Sequence, residues 1–509
     1  MQTTREAGEP VETLTAGEER FNRVRATAGL ILAPLTLGAL LLAPFPGLTP
    51  PAHRLAAILA MVVVLWITEA LPMAITAVLG PVLAIVFLVA PAQTAFAPFA
   101  DPIIFLFIGG FMLAQAMFVH GVDRRIAFTA LSSRFVGSSA ARILIVYGGV
   151  ATALSMWISN TATTAMMFPI GLSIAAHMKA VSTSSAANIQ KFGLAMMLIT
   201  SFGASIGGMG TPVGTPPNLI GIGMLQRIAG VQISFFDWMA IGVPLVVILF
   251  TFLVVLFTLT SARGVVVGKE SMAMVSRELA LLGPVSRAQR NVFLAFGVTV
   301  VLWIAPGFFA MAGADQTPFA RAYAASVPEG VAAMIGALLL FVMPIDWPNR
   351  RFTLSWDEAV QIDWGIVLLY GGGLAMGQLA FSTGLATAMG QGLTTWLPSH
   401  SSFALTALFT GAAIVLSEAT SNTASANMIV PITIAVATAA GVRPLEPALG
   451  ATLGASMGFM MPISTPPNAI VYSSGYIPIT AMMKFGIALD VFAYVVIVAT
   501  VMLLGPILF

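Results

Sequence analysis

The chain has no cysteine and little charge. Without cysteine there are no disulfides and no thiolate-bound metals. Asp, Glu, Lys and Arg make up 8% of the 509 residues, against about 25% in soluble domains. The four histidines, His53, His120, His177 and His400, are scattered without ligand spacing. No carboxylate pair and no Ser–His pairing lies inside an apolar run, so an enzyme acting within the membrane has no residues to act with. The first 26 residues also lack the order of a secretory signal, which is a short basic region, an apolar core and a small-residue cleavage site. They are polar and mixed in sign, with Arg5, Glu6, Glu9, Glu12, Glu18, Glu19, Arg20, Arg23 and Arg25. We read residues 1–26 as a solvated tail before a first span that is retained.

What the chain has in excess is apolar sequence: 58% hydrophobic residues and a mean hydropathy of +0.96. That composition places it in a lipid bilayer and excludes a soluble fold. A helix needs about 20 apolar residues to cross the hydrocarbon core. Eleven segments qualify: 27–45, 55–71, 73–91, 101–119, 190–225, 238–260, 291–312, 329–345, 364–382, 446–474 and 485–508. Two further apolar segments, 140–178 and 402–440, are too long for one span and are interrupted near the middle by Ser-Asn-Thr, at 159–161 and 421–423. A re-entrant helical hairpin with its tip at the triplet accounts for both, since irregular backbone at that depth must face protein or a wet cavity.

Charge supports this topology. Cytoplasmic loops carry an excess of Lys and Arg. With the N-terminus inside and both hairpins non-crossing, 18 of the 22 basic residues lie on the cytoplasmic side. Arg54, Arg227, Arg321 and Arg443 lie outside, and so does the C-terminus. If the first hairpin crossed, the basic stretch 263–290 would move outside. The basic residues are spread over these loops and the net charge is +2, so no nucleic-acid partner is expected.

The chain also repeats itself. SNTATTAMMFPI at 159–170 and SNTASANMIVPI at 421–432 share seven of twelve positions. GASIGGMGTPVGTPPN at 203–218 pairs with GASMGFMMPISTPPN at 454–468, and DPIIFLFIGG at 101–110 more weakly with DWGIVLLYGG at 363–372. The segments fall into an extra first span with its loop (27–54), a first repeat (55–260), a cytoplasmic linker (261–290) and a second repeat (291–509). Five crossings per copy, an odd number, invert the second copy. Inverted repeats of this kind mark secondary transporters, with the binding site near the midplane between the copies. The expected fold is therefore an all-α polytopic membrane protein with eleven transmembrane helices, two re-entrant hairpins and two broken helices, 190–225 and 446–474.

The doubled motifs carry chemistry. Ser, Asn and Thr cap helix N-termini, so each triplet should start the second arm of its hairpin. Thr215-Pro216-Pro217-Asn218 and Thr465-Pro466-Pro467-Asn468 break their spans and suit a new first turn. Four helix N-termini near one place favour an anion. Unwound carbonyls with Ser, Thr and Asn oxygens favour a hard monovalent cation. No Lys or Arg lies within the four motifs, so co-bound cations must help hold the anion. Glu418 stands in the second hairpin opposite Met156 in the first. It reads as a neighbour of a cation site, as a proton acceptor, or as half of a structural pair near the hairpin base. Glu69 reads as a structural cap or ion-pair partner.

These residues resemble the divalent anion:sodium symporter family, the INDY-type dicarboxylate transporters. SMWISNTATTAMMFPIG at 155–171, SEATSNTASANMIVPI at 417–432, SMGFMMPISTPPNAIV at 456–471 and WITEALPMAITAVLGPV at 66–82 carry the resemblance. It implies two or more sodium ions: one held by Ser155, Ser159 and Asn160 with carbonyls near Gly214, the other by Ser417, Asn422 and carbonyls near Ser464 and Pro466. It places substrate carboxylates against Asn160, Thr161, Asn422 and Thr423, with Thr215, Thr465 and Pro466 close by. It further implies a homodimer in the cytoplasmic membrane and an elevator motion of a transport domain. Small dicarboxylates are the expected substrates. Symport of sulfate or another inorganic divalent anion, and dicarboxylate exchange without sodium, are the rivals, and doubled hairpins speak against a channel.

Overall fold

The computed structural model describes residues 16–137, 139–181, 184–263, 265, 269–397 and 399–509. Residues 1–15 of the expected tail lie outside the described residues. The rest of that tail is not irregular: α1 (Ala16–Leu42) carries the first span back to Ala16 without a break. Extending a helix from an apolar nucleus costs little per residue, and Glu, Arg and Ala are good helix formers.

The first repeat holds α2 (Pro50–Thr68), α3 (Met73–Val86), α4 (Ala92–Phe96), α5 (Pro102–Val119) and a surface helix, α6 (Val122–Leu131). The two arms α7 (Ala140–Ser155) and α8 (Asn160–Val181) follow, then the two parts of the broken segment, α9 (Ala186–Gly208) and α10 (Pro216–Ala229), and α11 (Phe235–Ser261). The linker contains α12 (Lys269–Leu281). The second repeat begins with α13 (Arg287–Met311), α14 (Pro318–Ser326) and α15 (Glu329–Val342). A short antiparallel pair follows, β1 (Pro344–Asp346) with β2 (Arg351–Phe352). Then come α16 (Trp356–Ala359), α17 (Trp364–Ser382), α18 (Leu385–Thr394), the arms α19 (Ser402–Ala419) and α20 (Asn422–Ala439), the broken pair α21 (Leu445–Gly454) and α22 (Pro466–Tyr472), and α23 (Ile479–Leu508). The β pair departs from the all-α expectation and lies in the basic loop between α15 and α17.

Boundaries follow local chemistry. Thr49 caps α2 just before Pro50, and Asp101 caps α5 just before Pro102. Ser234 with Asp237 and Ser286 with Gln289 form reciprocal capping boxes at α11 and α13. Among the described residues, nine helices are long and apolar enough to cross a bilayer, and α19 is one of them. Two expected spans are short. The 14 residues of α3 and of α15 reach only about 21 Å each as straight helices.

The packing repeats with the sequence. α7 and α8 pack on α9, as α19 and α20 pack on α21. α22 packs on α8 and α9, as α10 packs on α20 and α21. α3 packs on α17, as α15 packs on α5. The halves are thus interwoven and not set side by side. Within the apolar window of α9, 83% of residues are buried, against 11% for α1, so α9 lies at the centre and α1 presents its surface to lipid.

Several polar contacts tie the helix ends together. Glu69 pairs with Arg25 and also caps α2, as the sequence suggested. Arg125 donates to the carbonyls of Leu282, Gly283 and Pro284. Asp101 pairs with Arg227 at 2.6 Å, and Arg443 donates to the Phe509 carbonyl. Each contact joins residues that the charge pattern puts on one face.

At the α5–α15 crossing, a Cβ on Gly109 would lie 2.6 to 2.8 Å from the backbone and Cβ of Ala333. Gly109→Val should destabilise the protein by about 1–3 kcal/mol through overpacking, read as a lower melting temperature in detergent. An unchanged melting curve would contradict this crossing.

Candidate functional site

Both triplets lie where the sequence put them, at the turn between hairpin arms. Ser159 caps α8 by accepting from the Ala162 N–H at 3.2 Å, and Ser421 caps α20 by accepting from the Ala424 N–H at 3.2 Å. Asn160 and Asn422 are the first residues of these helices. In each copy a serine five residues earlier donates to the asparagine side-chain oxygen: Ser155 to Asn160 at 2.7 Å and Ser417 to Asn422 at 2.8 Å. Ser155 and Ser417 are fully buried, whereas Asn160 and Asn422 are half-buried and Thr161 is exposed. Each hairpin therefore holds its hydroxyl inside and offers its amide and threonine toward a surface.

The broken helices come up against these tips. Asn160 Oδ1 lies against Gly208, where a side chain would collide with it. At the equivalent Gly458, a Cβ would be 3.1 Å from Asn422 Oδ1 and 3.3 Å from the Ser417 carbonyl. At Gly208 only glycine allows the approach, and at Gly458 a side chain would push its neighbours aside. Asn422 also donates to the Ser456 carbonyl at 3.4 Å.

Each break is clamped by the asparagine of its Thr-Pro-Pro-Asn. Asn218 Nδ2 donates to the carbonyls of Gly208 (2.9 Å) and Thr211 (2.7 Å). Asn468 Nδ2 donates to those of Gly458 and Met461, both at 3.0 Å. Pro212 and Pro462 cannot donate, so the carbonyls of Gly208 and Gly458 would otherwise be left open inside the protein, while those of Thr211 and Met461 also accept from the N–H groups of Gly214 and Ser464. Thr215 and Thr465 are the N-caps of α10 and α22 and are buried; Thr465 accepts from Asn468 N at 3.3 Å, while Thr215 makes no side-chain cap. Pro216 and Pro466 open the new helices.

The structure brings each half of the predicted set together. Asn160, oriented by Ser155, meets the first break, where Gly214 packs near the Met156 carbonyl and Thr211 Oγ1 donates to that same carbonyl, while Ser159 stays at the tip as the cap of α8. Ser417, Asn422 and Ser464 meet the second. The two clusters are joined through α9 and α22: Ser201 donates to Asn468 Oδ1, and the Phe202 and Phe459 rings touch at 5.0 Å.

Glu418 is not near the hairpin base. It sits on the last turn of α19, beside the tip, and reaches into the second break. Its Oε1 accepts from the N–H groups of Phe459 (2.6 Å) and Met460 (2.8 Å), and its Oε2 accepts from Ser464 Oγ (2.7 Å). Ser464 takes the place of Gly214, and Glu418 that of Met156. The first break is held by the Met156 carbonyl, and the second by the Glu418 carboxylate together with the Glu418 carbonyl, which accepts from Ser464 Oγ at 3.2 Å.

Sequence reasoning missed the clamp role of Asn218 and Asn468, and the close approach at Gly208 and Gly458. Their repetition in both copies was the available signal. It also missed Ser205 and Ser456, equivalent residues beside the two breaks whose buried hydroxyls have no protein partner. They are further candidate oxygens for a cation.

Asn218→Ala should leave the buried Gly208 carbonyl unpartnered and cost about 1–3 kcal/mol. A lower melting temperature in detergent checks this, and wild-type stability would show that the clamp carries no weight.

With this geometry in hand, comparison with known proteins is informative. A family described as sodium:sulfate symporter transmembrane region matches residues 25–509. The sodium-dependent dicarboxylate transporter SdcS of Staphylococcus saprophyticus is 34% identical over 496 residues, covering 96% of this chain and 93% of its own. SdcS of Staphylococcus aureus strain USA300 is 32% identical over 484 residues, covering 94% and 91%. Among solved structures, the YdaH transporter of Alcanivorax borkumensis shares the fold with a TM-score of 0.50 at 12% identity, over 95% of this chain and 96% of that one. The chain is therefore an integral membrane transporter and not an enzyme, and it belongs to the sodium:sulfate symporter family.

Proposed function

We propose that the protein is a secondary active transporter that couples sodium to the symport of small dicarboxylates, of the succinate, malate and fumarate type, across the cytoplasmic membrane. The observation that carries this reading is the doubled clasp of triplet and broken helix, present twice with the same hydrogen bonds. The relatives named as sodium-dependent dicarboxylate transporters support the choice of substrate.

The first sodium ion binds at Ser155, Ser159, Asn160 and the carbonyls near Gly214. The second binds at Ser417, Asn422 and the carbonyls near Ser464 and Pro466. The substrate carboxylates sit against Asn160, Thr161, Asn422 and Thr423, beside Thr215, Thr465 and Pro466. The clasps contain no Lys or Arg. Dipoles and hydroxyls alone offset little of the charge of a dianion, so two bound cations raise its affinity and couple the fluxes.

The rest of the topology belongs to the same reading: eleven crossings, two hairpins opening to opposite faces, N-terminus cytoplasmic and C-terminus outside. An elevator-type motion in a homodimer belongs to this reading as well. α7–α11 and α19–α23 pack on one another, and they meet the surrounding helices mainly where α20 meets α17 and α18 and where α10 meets α17. Two of these crossings use glycine, Gly223 against Tyr370 and Gly373 against Asn427. The Asp101–Arg227 pair joins α5 to α10 across that boundary.

Succinate uptake into proteoliposomes should require a sodium gradient and be lost when choline replaces sodium. Sulfate should not compete; sulfate uptake in preference to succinate would favour the inorganic-anion reading that the family description contains. Sodium-independent counterflow would favour exchange. Asn160→Ala and Asn422→Ala should each lower uptake at least about tenfold, the scale of about 1.4 kcal/mol for a lost charge-assisted contact. Wild-type rates in both would sink the site assignment.

A further inference from the structure

The loop between α15 and α17, residues 343–363, holds Trp347, Arg350, Arg351 and Trp356. Its counterpart in the first repeat, residues 87–101 between α3 and α5, holds no Arg, Lys or Trp. β1 and β2 fold the loop back against the start of α13. Asn291 Nδ2 donates to the Pro344 carbonyl at 3.3 Å and to Thr353 Oγ1 at 2.8 Å, and Thr353 Oγ1 donates to the Met343 carbonyl at 2.8 Å. The hairpin is therefore fixed to the ends of both α13 and α15. Arg287 precedes Asn291 by one turn and shares its face of α13, and Arg290 lies one turn from Arg287. Four arginines thus belong to one short hairpin and the helical turn beside it.

None of the four guanidinium groups bonds or pairs with another described residue. The acids of the loop are mostly engaged. Asp346 accepts from the Asn349 N–H and Nδ2, Glu358 closes a capping box with Ser355, and Asp363 caps α17. Among the described residues Asp357 has no such bond, so one open carboxylate stands against four open guanidiniums. Local structure gives no reason for these arginines. The positive end of α13 disfavours cations at Arg287 and Arg290. Arg350 has a φ of 51°, where glycine or asparagine is favoured.

Aromatic rings stand among the arginines. Trp347 is 67% exposed and Trp356 64%, and Trp347 meets Phe352 edge-on at 6.5 Å. The surface also ends two lipid-facing stripes. On α13, Phe293 and Leu294 lie one turn beyond Arg290 and are exposed, as is Val301. On α15, Leu338 and Val342 are exposed and lead into β1. Arginine and tryptophan at the end of such a stripe lie at the level of lipid headgroups.

We infer that this surface binds the headgroup of an anionic phospholipid, with the arginines on its phosphate and Trp347 and Trp356 against the glycerol and upper chains. Charge and apolarity together select that occupant. A soluble anion would satisfy the arginines and leave the rings in water. A second copy of this chain, meeting the surface about a two-fold axis, would set arginine against arginine. A zwitterionic lipid brings its own cation to the site.

The test is thermal melting of the full-length protein, stripped of lipid in detergent and titrated with phosphatidylglycerol or phosphatidylcholine of the same acyl chains. In wild type, phosphatidylglycerol should half-saturate the rise in melting temperature at a concentration at least about tenfold lower than phosphatidylcholine does. Arg350→Gln with Arg351→Gln should weaken the phosphatidylglycerol response about 30-fold, the scale of about 1 kcal/mol for each basic residue at an anionic surface. The phosphatidylcholine response should stay within about twofold of wild type. Arg20→Gln with Arg23→Gln removes two exposed arginines from α1, which packs on α2 away from the hairpin, and should change neither response. Equal responses to the two lipids in wild type overturn the inference. So does a wild-type response in the Arg350 and Arg351 variant, or an equal loss in the α1 variant, which would make the attraction a property of total charge. A rise produced by inorganic phosphate at the same concentrations would assign the surface to a soluble anion and also overturns it. If the Arg350 and Arg351 variant melts early without lipid, salt decides. Raising choline chloride from about 0.1 M to about 1 M should erase the wild-type preference for phosphatidylglycerol, and a preference that survives overturns the charge account.

Discussion

A helix that is broken inside a membrane must find partners for its freed backbone groups within the protein, because lipid offers none. Everything at the centre of this structure depends on that constraint. Asn218 and Asn468 meet it by donating both amide hydrogens back across their own breaks. The clamps keep the link between half-helices open but fixed. Without them, the carbonyls near Gly214 and Ser464 would have no defined place, and the triplets would have nothing ordered to face.

The glycines follow from the same requirement. A hairpin tip can approach a broken helix only where one of them lacks a side chain, and Gly208 and Gly458 are those places. Serine-to-asparagine hydrogen bonds within each hairpin then orient the amide oxygens. The result is two small polar clusters in apolar surroundings, joined by the Ser201–Asn468 bond and the Phe202–Phe459 contact. Joined clusters can influence one another, as sodium coupling requires.

The repeat is close in its hydrogen bonds yet not complete. Where the first copy has Met156 and Gly214, the second has Glu418 and Ser464. In the second copy the main-chain clasp is joined by a carboxylate that takes three donors. Main-chain clasps tolerate most substitutions, whereas a side-chain clasp can be adjusted by its neighbours. The asymmetry makes the two sites inequivalent although their triplets are the same.

Much of this was legible in the sequence. Apolar run lengths gave the segments, because burial in lipid acts locally along the chain. The repetition of Ser-Asn-Thr and Thr-Pro-Pro-Asn gave the hairpin tips and the breaks, because capping and proline effects reach only a few residues. Helix ends were less legible: α1 extends into the expected tail, and α3 and α15 are shorter than their apolar runs. Only the tertiary structure decided how the halves interlock, which carbonyls Asn218 and Asn468 hold, and that Glu418 turns from its hairpin into the neighbouring break. Those contacts join residues 40 or more positions apart, or depend on which lone pair a side chain fills. Neither leaves a periodic mark in the sequence.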